Sequence, residues 1–424
     1  MSLAHRSVSR SSLFGRVPTG GLGRMRTTVD DGLTAQQHTT TGQWLAVAAL
    51  TFGTFLAVTS EMLPVGVLTP LAAGLHISPG AAGFSLTVAG LMSAVTAAGV
   101  SRVIGDADRR RVLACAMGVL AVGNVLTMVA NGFTMLVISR LVLGVGMGAV
   151  WGMAAAVAAR LVARRNVTLA VSIAVSGVAS ASVAGVPIGT AIGDAFGWRS
   201  AFGVLAALAG LAAIGILVAL PVLRRPVAPR AGTAPAPRLP LLRASVTTGA
   251  IVIVALVTAH FAAYTYVRPV LEERTGMSAG VIAIVLLVYG VFGLVGNFVA
   301  GAVAGRRPRA TLLTLAGGIA VAIAALTAFG TSTPGAIAAI ALWGIAYGGV
   351  SVGGQLWMTA AAPDRIEHIT GLYVGAFTAS IALGALVGGL LVEGVGLLPL
   401  LWITAALAAT ALAAGLVGRS PANP

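Results

Sequence analysis

The sequence contains no lysine, because all 26 of its basic residues are arginines. A Walker A loop needs a lysine that reaches the β- and γ-phosphates of ATP, so an ATP-hydrolysing site of that kind is excluded. Schiff-base chemistry on a lysine amine is excluded for the same reason. The motifs of metalloproteases and paired membrane-embedded carboxylates suited to hydrolysis are also missing. We therefore expect neither an enzyme nor a protein that binds a metal or cofactor.

Cysteine and charge are scarce as well. The single cysteine, Cys115, cannot form an internal disulfide, and its apolar setting favours the role of a small buried hydrophobe. Charged residues make up 9% of the chain, against about 25% in soluble domains. Hydrophobic residues make up 58%, and the mean hydropathy is +0.98. The composition indicates a protein embedded in a lipid bilayer.

Twelve apolar runs are long enough to cross a membrane, which takes about 20 residues in an α-helix. Their length and lack of strict alternation favour helices over barrel strands, so the predicted fold class is an all-α membrane protein. We number the runs span 1 to span 12. They cover residues 44–70, 80–102, 112–130, 134–159, 168–192, 200–220, 247–268, 279–304, 310–329, 335–358, 369–391 and 397–417.

The arginines predict the orientation of these spans. Only Arg199 and Arg274 fall in loops on the side opposite the termini, and Arg140 and Arg268 lie within or at the edges of spans. The other 22 of the 26 fall on the side that holds both termini. Positively charged loops stay in the cytoplasm, so we expect cytoplasmic termini and a cell-membrane location. Although the net charge of +15 is compatible with nucleic-acid binding, the arginines fall between apolar runs, and we expect no such partner.

The chain divides into two halves of six spans. A Pro-, Ala- and Arg-rich linker at 221–246 separates residues 44–220 from residues 247–417. We expect residues 1–43 to form a disordered cytoplasmic tail and residues 418–424 a second, short tail. The halves resemble each other at an offset of about 200, as "GVGMGAV" at 144 and "GIAYGGV" at 344 illustrate. A parallel repeat of six spans is a transporter architecture with its substrate site between the halves.

Glu61 is the first candidate functional residue, because no other charge lies between Trp44 and Pro70. An ionised carboxylate at the bilayer centre costs about 2.5–3.5 kcal/mol on insertion scales. Protonation or pairing with a cation relieves that cost, and a transporter can use either to couple proton flow to movement. The alternative is a carboxylate that bonds to a neighbouring helix for packing alone.

Arg140 is the second charge inside an apolar span, and it cannot lose its proton in a protein. It must find an acceptor, for which Glu61 is one candidate, or extend towards the membrane surface. In span 5, Gly185, Gly189 and Gly193 recur at every fourth residue, which places them on one helix face beside a kink at Pro187. This face suits either a moving contact between helices or ordinary close packing.

Further polar residues are weaker candidates. His260 corresponds to Glu61 in the repeat and lies one helical turn from Tyr264, so both are candidate cavity residues, although a lone histidine is more often packed. The loop after span 2 combines acidic and basic residues that could gate the cytoplasmic face or simply anchor the loop there. Its members are Asp106, Asp108, Arg109, Arg110 and Arg111, and the remaining cavity candidates are Asn124, Asn297, Gln355 and Trp357.

Three motifs resemble signatures of the major facilitator superfamily, and within it the twelve-helix drug:proton antiporters. The segment "GDADRRRVL" resembles the loop 2–3 signature, although the glycine expected between the arginines is missing. "RLVLGVGMG" is similar to the span 4 signature, with Arg140 in the arginine position. "GVPIGTAIGDAFGWRSAF" is similar to the span 5 antiporter signature, including Gly185 and Pro187. The resemblance runs from about residue 44 to residue 417.

More locally, "SEMLPVGVLTPLA", "GMAAAVAARLV" and "TYVRPV" are similar to bacterial purine-nucleoside and sugar efflux pumps. The resemblance implies a monomeric secondary transporter that exports a drug, nucleoside or sugar-like molecule in exchange for protons. It also implies that Glu61 and Arg140 take part in proton coupling. A proton-independent importer or facilitator of the same fold, and a membrane receptor that transports nothing, remain as alternatives.

Overall fold

The computed structural model describes residues 39–105, 107–223, 243–363 and 366–418, and all regular secondary structure in these ranges is helical. Most of the predicted tails and linker, together with Asp106, lie outside the described residues. The twelve predicted spans are confirmed as helical segments long and apolar enough to cross a membrane. They are Thr41–Gly66, Pro79–Val100, Arg109–Met128, Phe133–Leu161, Arg164–Phe196, Trp198–Ala219, Ala244–Tyr264, Ala279–Ala304, Pro308–Phe329, Thr333–Ala361, Ile369–Val395 and Leu397–Val417.

Two of the helices extend beyond these limits, and two spans are interrupted. Span 2 continues to Ile104, and the helix of span 11 begins at Ile366. Span 10 is interrupted at Gly349, between its helices Thr333–Gly348 and Val350–Ala361. In span 5, a π-helical turn at Ala181–Gly185 joins the helices Val167–Ser180 and Val186–Phe196. The sequence predicted a kink at Pro187, and the structure has a π-helical turn at Ala181–Gly185 just before this proline.

The internal repeat is visible at the ends of span 1 and span 7. A short helix follows each span across a break, Leu68–Leu75 after span 1 and Val267–Thr275 after span 7. Each short helix ends on a residue in the left-handed region, His76 with φ 54° and Gly276 with φ 67°. The same local structure thus recurs at the offset of about 200 that the sequence indicated.

The spans pack as two six-helix halves. In the first half, span 4 packs on spans 2 and 3, span 3 on span 6, and span 1 on span 5. In the second half, span 10 packs on span 8, span 11 on span 7, and span 12 on spans 7 and 9. The halves meet mainly where span 2 contacts span 11 and where span 5 contacts span 8. We call the end of the bundle where span 1 begins and span 12 ends the terminal end and the opposite end the far end.

Glycines set the distance between the helices inside each half. A Cβ on Gly144 of span 4 would lie 2.7 Å from the carbonyl oxygen of Ala89 in span 2, and one on Gly152 would lie 2.8 Å from Val100. In the second half, a Cβ on Gly344 or Gly348 of span 10 would collide with the backbone of span 8. Because neighbouring backbones are in contact, these helices depend on residues without a side chain.

Cys115 departs from the sequence-based expectation. The sequence predicted a buried thiol, but Cys115 is exposed on the outer surface of span 3. That prediction was wrong because a helix in lipid is apolar on every side. Hydrophobic surroundings in the sequence therefore do not separate a core position from one that faces acyl chains.

We expect Gly144→Leu to destabilise the protein by about 1–3 kcal/mol, because the new side chain would force span 4 away from span 2. Gly118→Leu in span 3 is the matched control, since a Cβ there meets no atom within 4 Å. Thermal unfolding of both variants in detergent micelles tests the packing. Equal unfolding temperatures for the two variants would contradict it.

Candidate functional site

Glu61 lies where the two halves meet. It is only 5% exposed, and its Oε1 lies 3.8 Å from the position that a Cβ on Gly90 of span 2 would occupy. Ala382 of span 11, in the second half, lies 3.5 Å from the same position. No side chain of the described residues forms an ion pair with this carboxylate. Glu61 is therefore an acid between three helices, without a fixed cationic partner.

Arg140 approaches Glu61 without binding it. The side chain is fully buried, so it does not extend to the membrane surface. Its Nη1 donates a hydrogen bond of 3.1 Å to the carbonyl of Ser60, the residue before Glu61, and its guanidinium lies 5.0 Å from the centre of the Phe202 ring. Nε and Nη2 have no hydrogen-bond partner in the described part of the chain. Arg140 thus keeps two donors free beside the carboxylate.

Asn124 of span 3 completes this cluster. Its side-chain amide donates hydrogen bonds of 3.0 Å to Ser60 Oγ and to the carbonyl of Leu120. Ser60 is therefore held by both span 3 and span 4, which fixes the segment of span 1 that presents Glu61. The sequence suggested Asn124 only as a possible cavity or packing residue. The structure places it against Ser60, the residue before Glu61.

His260 belongs to a stack of aromatic rings in the second half, which we call the ring cluster. The cluster consists of His260, Tyr264, Tyr289, Trp343 and Tyr347. Trp343 Nε1 donates to His260 Nδ1 at 3.0 Å, so the imidazole proton lies on Nε2, 3.4 Å from the Tyr289 hydroxyl. Because both nitrogens face partners within the protein, His260 is a packed neutral residue here.

Tyr347 is the member of the ring cluster that is not buried. Its ring stacks on His260 with the centroids 3.4 Å apart and the planes 7° apart, while Tyr264 covers the histidine at 5.1 Å. Tyr347 also lies within electrostatic reach of Glu61, from the other half. An aromatic surface in one half therefore stands near an acid in the other.

The remaining cavity candidates lie elsewhere. Trp357 is fully buried and donates to the carbonyl of Ser245 at 3.2 Å, near the terminal end of span 7. Gln355 donates to Thr370 Oγ1 at 2.9 Å. Asn297 is partly exposed on span 8. The structure thus groups His260 and Tyr264 with Tyr347, and places Gln355 and Trp357 closer to the terminal end.

The glycine face of span 5 packs on span 1 of the same half. Positions Gly185, Gly189 and Gly193 meet Thr59, Leu63 and Val67 in turn, so the two helices run side by side past Glu61. The π-turn of span 5 contacts the other half, because a Cβ on Gly290 of span 8 would lie 2.5 Å from Val183 Cα. Span 5 therefore links the Glu61 helix to the second half.

The loop after span 2 binds to its own half in this structure. Asp108 begins the helix of span 3 and accepts hydrogen bonds from the backbone N–H of Leu223 at 2.9 Å and of Arg110 at 3.1 Å. Arg110 Nη1 donates to the carbonyl of Leu217 in span 6, and Arg111 is exposed. Arg109 donates to the carbonyl of Gly105 at 2.9 Å. These contacts tie span 3 to the end of span 6.

Two backbone N–H groups determine the protonation of Asp108. Partial burial raises the pKa of its carboxyl, but the hydrogen bonds from Leu223 and Arg110 and the charges of Arg110 and Arg111 outweigh that effect. The net result is a pKa below the ordinary value of 3.8. Asp108 is therefore ionised at neutral pH and fully able to cap the helix.

Sequence reasoning missed a charged cluster at the far end. Arg268, in the short helix after span 7, forms ion pairs with Asp194 of span 5 at 2.9 Å and with Glu272 at 2.8 Å. It also donates a hydrogen bond to the carbonyl of Gly66 in span 1. The signal in the sequence was a single acid at the end of one span and a single arginine at the end of another, in different halves.

Twelve membrane-spanning helices in two repeated halves, with a buried acid where the halves meet, define the class of multi-pass membrane transporters. The family model of the Major Facilitator Superfamily matches residues 50–377, and the chain belongs to this family. The chain is 32% identical over 373 residues to the purine ribonucleoside efflux pump NepI of Shigella sonnei (strain Ss046), covering 87% of this chain and 93% of the pump.

Other relatives and a solved structure agree with this membership. NepI of Salmonella paratyphi C (strain RKS4594) is 33% identical over 358 residues, covering 84% of this chain and 89% of that one. The crystal structure of a bacterial homolog to the human lysosomal transporter Spinster, inward-facing and occupied, aligns with a TM-score of 0.70 at 15% identity. The alignment covers 88% of this chain and 95% of that one, which establishes the shared fold.

We expect Asp108→Asn to destabilise the protein by about 0.2–1 kcal/mol at neutral pH, because asparagine keeps the helix cap but loses the ion pair with Arg110. A carboxyl with a lowered pKa stabilises the folded state above its unfolded pKa, and this contribution disappears as the pH falls through the folded value. The difference between wild type and Asp108→Asn should therefore shrink as the pH is lowered below about 4. Thermal unfolding across a pH series measures it, and a constant difference would contradict the assignment.

Proposed function

We propose that this protein is a secondary active exporter that exchanges a purine-nucleoside-like molecule for protons. The proposal rests mainly on the position of Glu61, a buried acid beside Ala382 of the other half, with no ion-pair partner among the described residues. The named relatives support nucleoside export, and the span 5 motif supports antiport. The arginine distribution supports cytoplasmic termini and a cytoplasmic-membrane location, and the efflux relatives support an outward direction of transport.

The surroundings of Glu61 support proton coupling. An ionised carboxylate in this apolar setting needs a partner, and Nε and Nη2 of Arg140, which have no hydrogen-bond partner among the described residues, can supply one. When Glu61 is protonated, it needs no cation. The proton therefore decides how strongly span 1 is drawn towards span 4, and that difference gives proton binding a mechanical consequence.

The proposed substrate site uses both halves. The ring of Tyr347, supported from behind by His260, offers a flat surface on which a purine base can stack. Glu61 offers oxygen acceptors to ribose hydroxyls or to an exocyclic amine. A substrate held in this way contacts span 1 and span 10 together, so its binding and release are linked to the relative position of the halves.

Substrate and proton would then use the carboxylate in turn. Proton uptake by Glu61 removes an acceptor from the substrate and favours its release on one side of the membrane. Loss of the proton restores the acceptor on the other side. A proton-independent facilitator would need no such alternation, and transport measured with and without a pH gradient separates the two mechanisms.

We expect Glu61→Gln to abolish substrate-driven proton movement in reconstituted vesicles, because the amide cannot exchange a proton. Fluorescent pH indicators inside the vesicles report that movement when adenosine or inosine is added. Glu273→Gln is the matched control, since it makes the same change at an exposed carboxylate in the short helix after span 7. Unchanged proton movement in Glu61→Gln would refute proton coupling through this residue.

We expect Tyr347→Ala to weaken nucleoside binding by about 1–3 kcal/mol, the range measured for the loss of one base–aromatic contact. Tyr347→Phe should bind nearly as well as the wild type, because it keeps the ring. Phe298→Ala removes an aromatic ring that is 69% exposed and should leave binding unchanged. Radiolabelled nucleoside binding to purified protein measures all three, and equal loss in Tyr347→Phe and Tyr347→Ala would contradict stacking.

A further inference from the structure

The two halves are joined at the far end by a buried arginine with two acidic partners. Arg268 is 4% exposed and belongs to the second half. Its Nη1 pairs with Asp194 Oδ1 in the first half at 2.9 Å, and its Nε pairs with Glu272 Oε1 on its own helix at 2.8 Å. One partner therefore crosses between the halves and the other does not.

Span 1 supplies a third acceptor because of a proline. In a continuous helix, the carbonyl of Gly66 would accept from the N–H of residue 70, but that residue is Pro70, which has none. The carbonyl is free, and Arg268 Nη1 donates to it. The helix break after Gly66 thus provides a fixed acceptor in the first half that no change of pH can remove.

Other hydrogen bonds at this end also cross between the halves. Thr69 donates to Glu272 Oε2, and the backbone N–H of Gly80 donates to Glu393 Oε1 at 2.9 Å. Opening of the far end requires Arg268 to leave Asp194 and Gly66 together, while these weaker contacts separate. The arginine is therefore the strongest single connection among the described contacts here.

Glu272 changes the cost of that separation. A buried arginine that loses its only carboxylate is left as an unpaired charge, which is strongly unfavourable. Arg268 keeps Glu272 because the two residues are four positions apart on one helix. The pair stays intact wherever the second half moves, so the connection to Asp194 can be broken without stranding a charge.

We propose that Arg268 is a reversible latch for the far end, in which Asp194 stabilises the closed state and Glu272 makes the open state accessible. The two carboxylates have opposite effects on the same equilibrium, although both pair with the same arginine. The latch rests on the proposed function only in requiring that the halves move. The latch does not depend on which substrate or which coupling ion the protein transports.

Distance measurements between the halves test the latch. Spin labels on Asn131→Cys and Thr331→Cys, two exposed far-end loop positions in different halves, report separation by double electron–electron resonance in a Cys115→Ala background.

We expect Asp194→Asn to raise the ratio of open to closed far end by about tenfold or more. Glu272→Gln should lower that ratio by a similar factor, because opening would then strand Arg268. Arg274→Gln is the control, since Arg274 donates to Thr327 within its own half.

Shifts in the same direction for Asp194→Asn and Glu272→Gln, or no shift in either, would overturn the latch. Arg268→Gln supplies a second test that survives if Asp194→Asn does not fold. It should open the far end on its own, and Glu272→Gln added to it should cause no further change. An additional shift in that double variant would also overturn the proposal. These readouts need no transported substrate, so failure of nucleoside export leaves them interpretable.

Discussion

The absence of water in the bilayer core is the constraint on which this structure depends. A charge or a free backbone group placed there must be satisfied by the protein itself. Arg268 is satisfied by two carboxylates and one carbonyl, whereas Arg140 binds one carbonyl and an aromatic ring but keeps two donors without a partner among the described residues. Glu61 has no comparable partner. The unequal satisfaction of these groups separates Arg268, which joins the halves, from Glu61 and Arg140, which keep groups available for chemistry.

The same constraint explains why helix breaks lie beside the functional groups. The break after Gly66 leaves a carbonyl that an arginine occupies, and the π-turn before Pro187 accommodates a residue without an N–H. Both interruptions occur where the halves touch. Irregular backbone in a membrane is tolerated only where protein surrounds it, so these positions are also the ones where neighbouring helices are close enough to respond to each other.

Much of the fold was predictable because its signals are local. Apolar run length determined the twelve spans, and the four-residue spacing of Gly185, Gly189 and Gly193 indicated a close helix contact that the structure locates on span 1. Sequence reasoning also singled out Glu61 and Arg140 as charges without local partners. The prediction that Cys115 is buried was wrong, because a helix surrounded by lipid has no polar side that would reveal which face packs against the core.

The partnerships between distant residues could not be predicted. Arg268 and Asp194 belong to different halves, and their distance depends on how whole helices pack rather than on the residues around them. The partners of His260 could not be predicted either. Its repeat position suggested a counterpart of Glu61, but Trp343 and Tyr289 occupy its two nitrogens, and only the assembled second half brings those rings together.

The pairing of Arg268 with Glu272 also has an electrical consequence. A unit charge that crosses the full membrane potential exchanges about 2.3 kcal/mol with it for every 100 mV. Arg268 and Glu272 lie on one helix and travel together as a neutral unit, so the potential performs almost no net work on them when the second half moves. A cell can therefore energise or discharge its membrane without thereby pulling this arginine in either direction.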